Sequence, residues 1–188
     1  MTPPNLSPST EAALSSPDTH LVLISGPVGV GKTAVAQELS AQLERDSISH
    51  TFVDLDNLAQ TYPRPQDDPF GQSLALENLK AVWTNAKARG VRNLVVARVI
   101  ESADGASRVV EAVSARTVKI VQLAASDDTL LQRVRQREIG AGQSWHEARA
   151  LELSEKLSNV DFPDLVVNTD QRTVGAIARE IFYACNWL

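Results

Sequence analysis

One cysteine, Cys185, is all that the 188 residues contain, so no intrachain disulfide can form and no cysteine-based metal cluster can be assembled. That scarcity fits a reducing compartment, and a cytoplasmic location is the expectation. No basic segment followed by an apolar core opens the sequence, and no run approaches the roughly 18 to 20 consecutive apolar residues that span a bilayer. A soluble, unexported protein with no membrane partner is expected. An excess of positive charge is missing as well. The 18 Lys and Arg face 23 Asp and Glu, a net charge of −5, which argues against nucleic acid or an anionic membrane as partner while leaving room for a local basic pocket. His20, His50 and His146 are scattered without the spacing of metal ligands, and no internal repeat is found.

What is present is one domain's worth of material, with 43% apolar residues for a sizeable core. Residues 1–18, "MTPPNLSPSTEAALSSPD", are rich in Pro, Ser and Thr without sustained periodicity and read as a poorly ordered tail. The folded domain is expected over 19–188. There, β-branched runs alternate with helical patterns: "HLVLIS" before a helix over 32–44, "TFVDLD" before 74–89, and "NLVVARVI" before 106–115. "TVKIVQLAA" precedes helices over 127–138 and 145–157, and "DLVVN" precedes one over 173–184. Continuously apolar strands such as Leu94–Ala97 and Val118–Leu123 suit a parallel sheet covered on both faces. The expected fold is therefore a three-layer α/β sandwich built on a five-stranded parallel sheet.

The stretch "LISGPVGVGKT", residues 23–33, meets the pattern G-x-x-x-x-G-K-[ST] through Gly26, Gly31, Lys32 and Thr33. It lies directly after a strand and directly before a helix, where that pattern works. All four positions are met in context, which sets the segment apart from an ordinary glycine-rich turn. The glycines let successive N–H groups face phosphate oxygens, and the helix N-terminus adds partial positive charge. Lys32 is expected to reach the β and γ phosphates and Thr33 to ligate Mg²⁺. The nucleotide-binding set is Gly26, Pro27, Val28, Gly29, Val30, Gly31, Lys32, Thr33 and Ala34, with ATP and Mg²⁺ as cofactors.

On these residues the sequence resembles the P-loop NTPases. A motor or AAA-type ATPase is expected to carry an apolar strand ending in Asp-Glu, yet "NLVVARVIES" reaches Arg98 there. A signalling GTPase is expected to carry Asp-x-x-Gly and Asn-Lys-x-Asp, which the chain lacks. What it has is "FVDLDN", with Asp54 and Asp56 at the end of the second strand. Ligand crevices of open α/β sheets lie outside the carboxyl ends of strands. Residues i and i+2 share a strand face, so an extended strand would present both carboxylates together. One acid can then support the cation and the other accept the proton of a hydroxyl; alternatively, Asp56 caps the turn that follows.

This D-x-D after the second strand, in a short P-loop chain, is similar to the small-molecule kinases, among them shikimate kinase, gluconate kinase, adenylylsulfate kinase and chloramphenicol phosphotransferase. The resemblance spans about residues 21–184. It implies the P-loop kinase fold with sheet order 2-3-1-4-5 and a small lid, Asp54 as an aid to the metal, and Asp56 as the catalytic contact to the acceptor hydroxyl. Departures are visible too. Leu55 stands where adenylylsulfate kinases have glycine, and "ARVIES" replaces the Gly-Gly-Gly of shikimate kinase.

"DDTLLQRVRQRE" places Arg133 and Arg137 at i and i+4 on one helix face, with Arg135 about 200 degrees away. In related kinases lid arginines contact ATP phosphates and the transferring group. The resemblance thus implies a catalytic Arg137 and a nucleotide-binding Arg133, the latter alternatively packing against adenine. The glycines of "EIGAGQSW" break the helix, as a mobile lid requires, and Arg149 lies across it. For the acceptor, Tyr62, Arg64 and Phe70 in a Pro-rich loop are candidate contacts. Arg98, an arginine at the end of an apolar strand, is expected to meet a carboxylate of the substrate, or Asp54 or Asp56. Trp83 reads as core, and Asp170–Arg172 either touch the base or cap a helix.

The reading is an ATP-dependent kinase acting on a hydroxyl of a small molecule, working as a monomer or homodimer. The alternative is a nucleotide-binding regulatory ATPase with slow hydrolysis. A polynucleotide end kinase is disfavoured by the net charge.

Overall fold

A computed structural model describes residues 18–137, 140 and 142–185. The elements run β1 (Thr19–Ser25), α1 (Lys32–Arg45), β2 (His50–Asp54), a 3₁₀ turn (Asn57–Ala59), α2 (Gln72–Lys87), β3 (Asn93–Ala97), α3 (Ala103–Val113), β4 (Ala115–Ala124), α4 (Asp127–Arg137), α5 (Gln143–Ser158), β5 (Leu165–Asn168) and α6 (Val174–Ala184). All but Asp18 of the tail expected over 1–18 lies outside the described residues, and Asp18 pairs with Arg116 at 3.2 Å.

The five strands are parallel in the order β2-β3-β1-β4-β5, the order that the resemblance implies. The order follows from burial. In β1, Leu21 and Leu23 point to one face and Val22 and Ile24 to the other, and all four are buried, so the strand must lie in the interior of a sheet with helices on both faces. On the Val22 face, Val95, Val121 and Val167 meet Val35, Leu39 and Leu43 of α1 and Ile177 and Ile181 of α6. On the Leu21 face, Leu94 and Val96 meet Ala75, Leu79 and Trp83 of α2 and Val109 and Val113 of α3. Trp83 is core as expected, and its indole N–H donates to Thr19 Oγ1 at 3.2 Å.

Two strands stop short of their expected ends, and both stops shape the crevice. β2 ends at Asp54 rather than Asp56, because Leu55 drops into the core while its N–H still bonds Ala97 O at 3.0 Å. β3 ends at Ala97 rather than Ile100; Ser25 Oγ captures the Ile100 N–H at 2.9 Å and turns the chain towards α3. That helix starts at Ala103, three residues before its expected start, because Ser102 caps it by accepting from Gly105 N at 3.2 Å. Glu138, Ile139 and Ala141 of the expected lid segment lie outside the described residues.

Candidate active site

The loop between β1 and α1 is pressed against β4 and α4 so closely that side chains are excluded. A Cβ on Gly26 (φ +144°) would sit 2.5 Å from Leu123 O, and one on Gly29 (φ +83°) would sit 2.9 Å from Val134 Cγ2 and 3.1 Å from Leu130 O. Pro27 and Val30 are buried within the loop, Val28 is half-buried, and Gly31 and Ala34 flank Lys32 and Thr33 at the start of α1. Lys32 Nζ spans the loop, donating to Gly26 O and Pro27 O at 3.0 Å each. Desolvation pushes its pKa down to about 8; Asp56 pulls it upward, Arg137 pushes it further down, and Asp54 pulls it up. Lys32, Asp56, Arg137 and Asp54 therefore share one electrostatic neighbourhood, although they are far apart in sequence.

Thr33 Oγ1 donates to Asp54 Oδ2 at 2.6 Å, and Asp56 N donates to Asp54 Oδ1 at 3.1 Å. The extended strand expected to aim both acids is corrected here. Asp56 is helical (φ −66°, ψ −29°) and opens the 3₁₀ turn, so the two carboxylates converge through a turn at Leu55 instead of through strand alternation. The capping alternative for Asp56 also fails, since its side chain caps nothing. Among the described residues no group of three or more His, Cys, Asp and Glu could hold a metal ion. A hydroxyl touching a carboxylate beside a phosphate loop nevertheless fits Mg²⁺, which takes one or two protein oxygens and completes its shell with phosphates and water.

On α4 the arginines separate as their spacing requires. Arg137 lies in the electrostatic neighbourhood of Lys32, whereas Arg135 points to α5, where its Nε and Nη2 reach the two carboxylate oxygens of Glu147 at 3.1 Å each. Arg133 is held between the phosphate loop and the β5–α6 connection, donating to Val30 O at 3.2 Å, Thr169 Oγ1 at 3.0 Å and Thr169 O at 3.1 Å. Its guanidinium thus braces the loop. Arg149, on α5, pairs with Glu101 and, at 2.5 Å, with Glu152. Asp170 accepts from Ser126 N at 3.0 Å and ties the β4–α4 and β5–α6 loops together, and Arg172 pairs with Glu180 of α6 at 2.6 Å.

A cavity of about 220 Å³ opens at Leu55, between the carboxyl end of β3, α2 and α3. Leu55, Arg98, Glu101, Ser102, Gly105 and Arg108 line it, and no residue of the phosphate loop does. The carboxylate expected to meet Arg98 is not bonded to it. Arg98 Nη1 is fully buried without a hydrogen-bond partner, and desolvation lowers its pKa despite attraction from Asp56 and Asp68. The three loop candidates stand apart from this cavity: Tyr62 and Phe70 are exposed, and Arg64 donates to Pro69 O at 3.3 Å. Sequence reasoning missed Arg108 and Glu101. Their signal was position, Glu101 just before the N-cap of α3 and Arg108 at its middle, on the segment that follows a strand's carboxyl end.

A family profile described as an AAA domain matches residues 22–160. That match corrects the expectation that an AAA-type chain must end its third strand in an acidic pair, since β3 here ends at Ala97 and is followed by Arg98. No curated protein matches the sequence. Among solved structures, the chain is similar to the tunicamycin resistance protein of Deinococcus radiodurans, with TM-score 0.62 and 20% identity over 89% of this chain and 96% of that one. It is similar to a gluconokinase from Sinorhizobium meliloti, with TM-score 0.59 and 19% identity over 90% and 92%. It is also similar to the APS kinase of Mycobacterium tuberculosis, solved with AMPPNP and APS, with TM-score 0.58 and 21% identity over 89% and 97%.

Proposed function

The chain belongs to the AAA domain family and has the P-loop kinase fold, and from that premise we propose that it transfers the γ-phosphoryl group of ATP to a hydroxyl of a small molecule, with Mg²⁺. The observation that carries this reading is that Asp56, Arg137 and Asp54 all act on Lys32 of the phosphate loop, while a separate cavity, lined by Leu55 next to Asp56 in sequence, lies outside that loop. A regulator that only binds and slowly hydrolyses nucleotide needs no such cavity. The gluconokinase and APS kinase names add support from the same fold.

Thr33 Oγ1 and Asp54 would hold Mg²⁺, which would neutralise charge on the phosphates. Lys32 exchanges its two carbonyl partners for phosphate oxygens, and the exchange restores the proton affinity that burial lowers. Asp56, with its carboxylate committed to no cap, orients the acceptor hydroxyl and takes its proton as transfer proceeds. Arg137 supplies charge where it develops on the transferring group. Because the transition state is loose, holding the hydroxyl in line contributes more than the basicity of Asp56.

The test is a phosphoryl-transfer screen of hydroxyl metabolites, sugars, nucleosides and hydroxyl-bearing antibiotics with labelled ATP. Label appearing in an organic product supports the kinase. Label appearing only in inorganic phosphate, at a rate that no acceptor changes, supports the regulator.

A further inference from the structure

Glu101 stands where three parts of the structure meet. The residue before it, Ile100, gives its N–H to Ser25 Oγ at 2.9 Å, and Ser25 is the last residue of β1, directly before the phosphate loop. The residue after it, Ser102, caps α3. Its own carboxylate lines the cavity and also crosses to α5: Oε1 accepts from Arg149 Nη2, and Oε2 accepts from Lys156 Nζ at 2.7 Å. Arg149 and Lys156 are i and i+7 on α5, two turns along one helix face, so a single carboxylate holds two turns with one oxygen each. Desolvation acts to raise the pKa of Glu101, but the bonds and charges of Lys156 and Arg149 bring it below the ordinary carboxylate value.

What α5 carries with it is α4. The two helices are joined in opposite order, Arg135 to Glu147 at 3.1 Å and Ser154 Oγ to Asp127 Oδ1 at 2.9 Å. Ala150 of α5 is buried in the same core cluster as Leu130 and Val134 of α4, and α4 ends at Arg137, which acts on Lys32. Gln122 of β4 pins the far end of α5, its Nε2 donating to Leu157 O at 3.0 Å in a buried contact. From there towards the start of α5, the ion pairs that reach the β3–α3 connection among the described residues are the two at Glu101. Pairs with a partner as exposed as Lys156 add little to stability. Two of them on one carboxylate fix a geometry instead.

We infer that Glu101 is a positioning residue for the transfer step: through Arg149 and Lys156 it fixes α5, and through α5 and α4 it sets the place of Arg137 relative to the phosphate loop. The inference rests on the proposed role of Arg137. Glu101 acts at second hand, since the charge that develops on the transferring group is met by Arg137. A small displacement of such a donor is enough to slow the chemistry while the nucleotide still binds.

The experiment is a double-mutant cycle on kcat for ADP formation from saturating MgATP, with Glu101→Gln, Arg137→Ala and the double variant. Glu101→Gln is expected to lower kcat about tenfold with little change in KM for ATP, and to melt within about 4 °C of wild type. In the Arg137→Ala background the same substitution is expected to lower kcat no further. Arg149→Met is expected to reproduce most of the loss, Glu101→Asp to restore part of it, and Glu152→Gln, which leaves the bridge from Arg149 to Glu101 in place, to keep the wild-type kcat. A second measurement is independent of turnover. AMPPNP with Mg²⁺ is expected to slow amide exchange over residues 134–137 of α4 in wild type, and much less in Glu101→Gln at matched saturation. An unchanged kcat in Glu101→Gln, a loss of the same size with and without Arg137, or equal protection of α4 in the two proteins overturns the inference and leaves the kinase reading standing. A wild-type kcat in Arg137→Ala overturns the role of Arg137 and this inference with it.

Discussion

Thr33 Oγ1 donates a 2.6 Å hydrogen bond to Asp54 Oδ2, joining the first turn of α1 to the last residue of β2 at the carboxyl end of the sheet. The pair offers oxygen donors to a hard cation, whereas Asp56, one turn on, keeps its side chain out of that contact. Asp54→Asn is therefore expected to raise the Mg²⁺ concentration needed for half-maximal turnover, by about tenfold or more. Asp56→Asn is expected to leave nucleotide affinity unchanged and to cut transfer to the acceptor. Mg²⁺ titrations of both variants check this, and coincident curves contradict the division of roles.

Lys32 gives the site a pH signature. Its pKa is pushed down to about 8 by desolvation, and phosphate oxygens favour the charged ammonium. Below that pH the ammonium is already in place and affinity is level. Above it, binding must take up a proton, so affinity falls by up to about tenfold per pH unit until the pKa of the complex is reached. Calorimetry with AMPPNP from about pH 7 to 9.5, in buffers of different ionisation enthalpy, is expected to show proton uptake growing above pH 8; a flat profile contradicts it.

The same shift fixes the sign of Lys32's effect on folding. A base whose folded pKa is lowered costs stability while it is protonated in the fold, below about pH 8, and the cost fades as pH rises from there towards the ordinary value of 10.5. Lys32→Ala is thus expected to abolish turnover while its melting temperature at neutral pH holds or rises. A marked fall in melting temperature contradicts this.

Arg137 and Arg135 are two residues apart and do different work. Removing a donor that acts on developing charge costs about 2 to 4 kcal/mol in the transition state, so Arg137→Ala is expected to lower kcat about a hundredfold or more. Arg135 forms an exposed pair with Glu147 at 3.1 Å, and such pairs contribute about 1 kcal/mol or less. Arg135→Ala is expected to change kcat little. Steady-state kinetics of the two variants decide between them, and a larger defect in Arg135→Ala contradicts the assignment.

Arg133 joins the phosphate loop to the β5–α6 connection through Val30 O, Thr169 Oγ1 and Thr169 O. Charged hydrogen bonds of this kind contribute about 1.5 to 3 kcal/mol each when made, and less when lost together. Arg133→Ala is expected to lower the melting temperature and weaken nucleotide affinity in parallel. Loss of kcat at unchanged melting temperature would instead place its guanidinium on the transferring group.

The sheet order and the phosphate loop were legible because local signals and global fold agree there. Apolar runs such as Leu94–Ala97 are continuous, and Gly26 to Thr33 fill every position of a motif whose strand and helix are in view. The separation of Arg135 from Arg133 and Arg137 was legible for the same reason, since helix periodicity alone sets it. Asp56 was found for a reason that the fold replaces: the strand does not run on to it, because burying Leu55 is worth more than extending the edge strand β2. The cavity at the carboxyl end of β3 was half legible. Arg98 stood out as a charge on an apolar strand, but Arg108 on α3 looks like any surface arginine until the helix start is placed beside β3. The Pro-rich loop drew attention to Tyr62 and Phe70 by composition, and both side chains face solvent. Which loop lines a cavity depends on packing between α2 and α3, which no short pattern encodes.

Transfer from ATP to a hydroxyl, with Asp56 as the group that receives the proton, is the proposed reaction. It is tested most directly by following ³¹P resonances of ATP, ADP, inorganic phosphate and organic phosphate together, for wild type and Asp56→Asn, in the presence of each acceptor class. The prediction is that ADP and an organic phosphate ester appear in equal amounts with the wild type, and that Asp56→Asn binds nucleotide normally but forms neither at an appreciable rate. ADP appearing with inorganic phosphate alone, at the same rate in both proteins and with every acceptor, would contradict it.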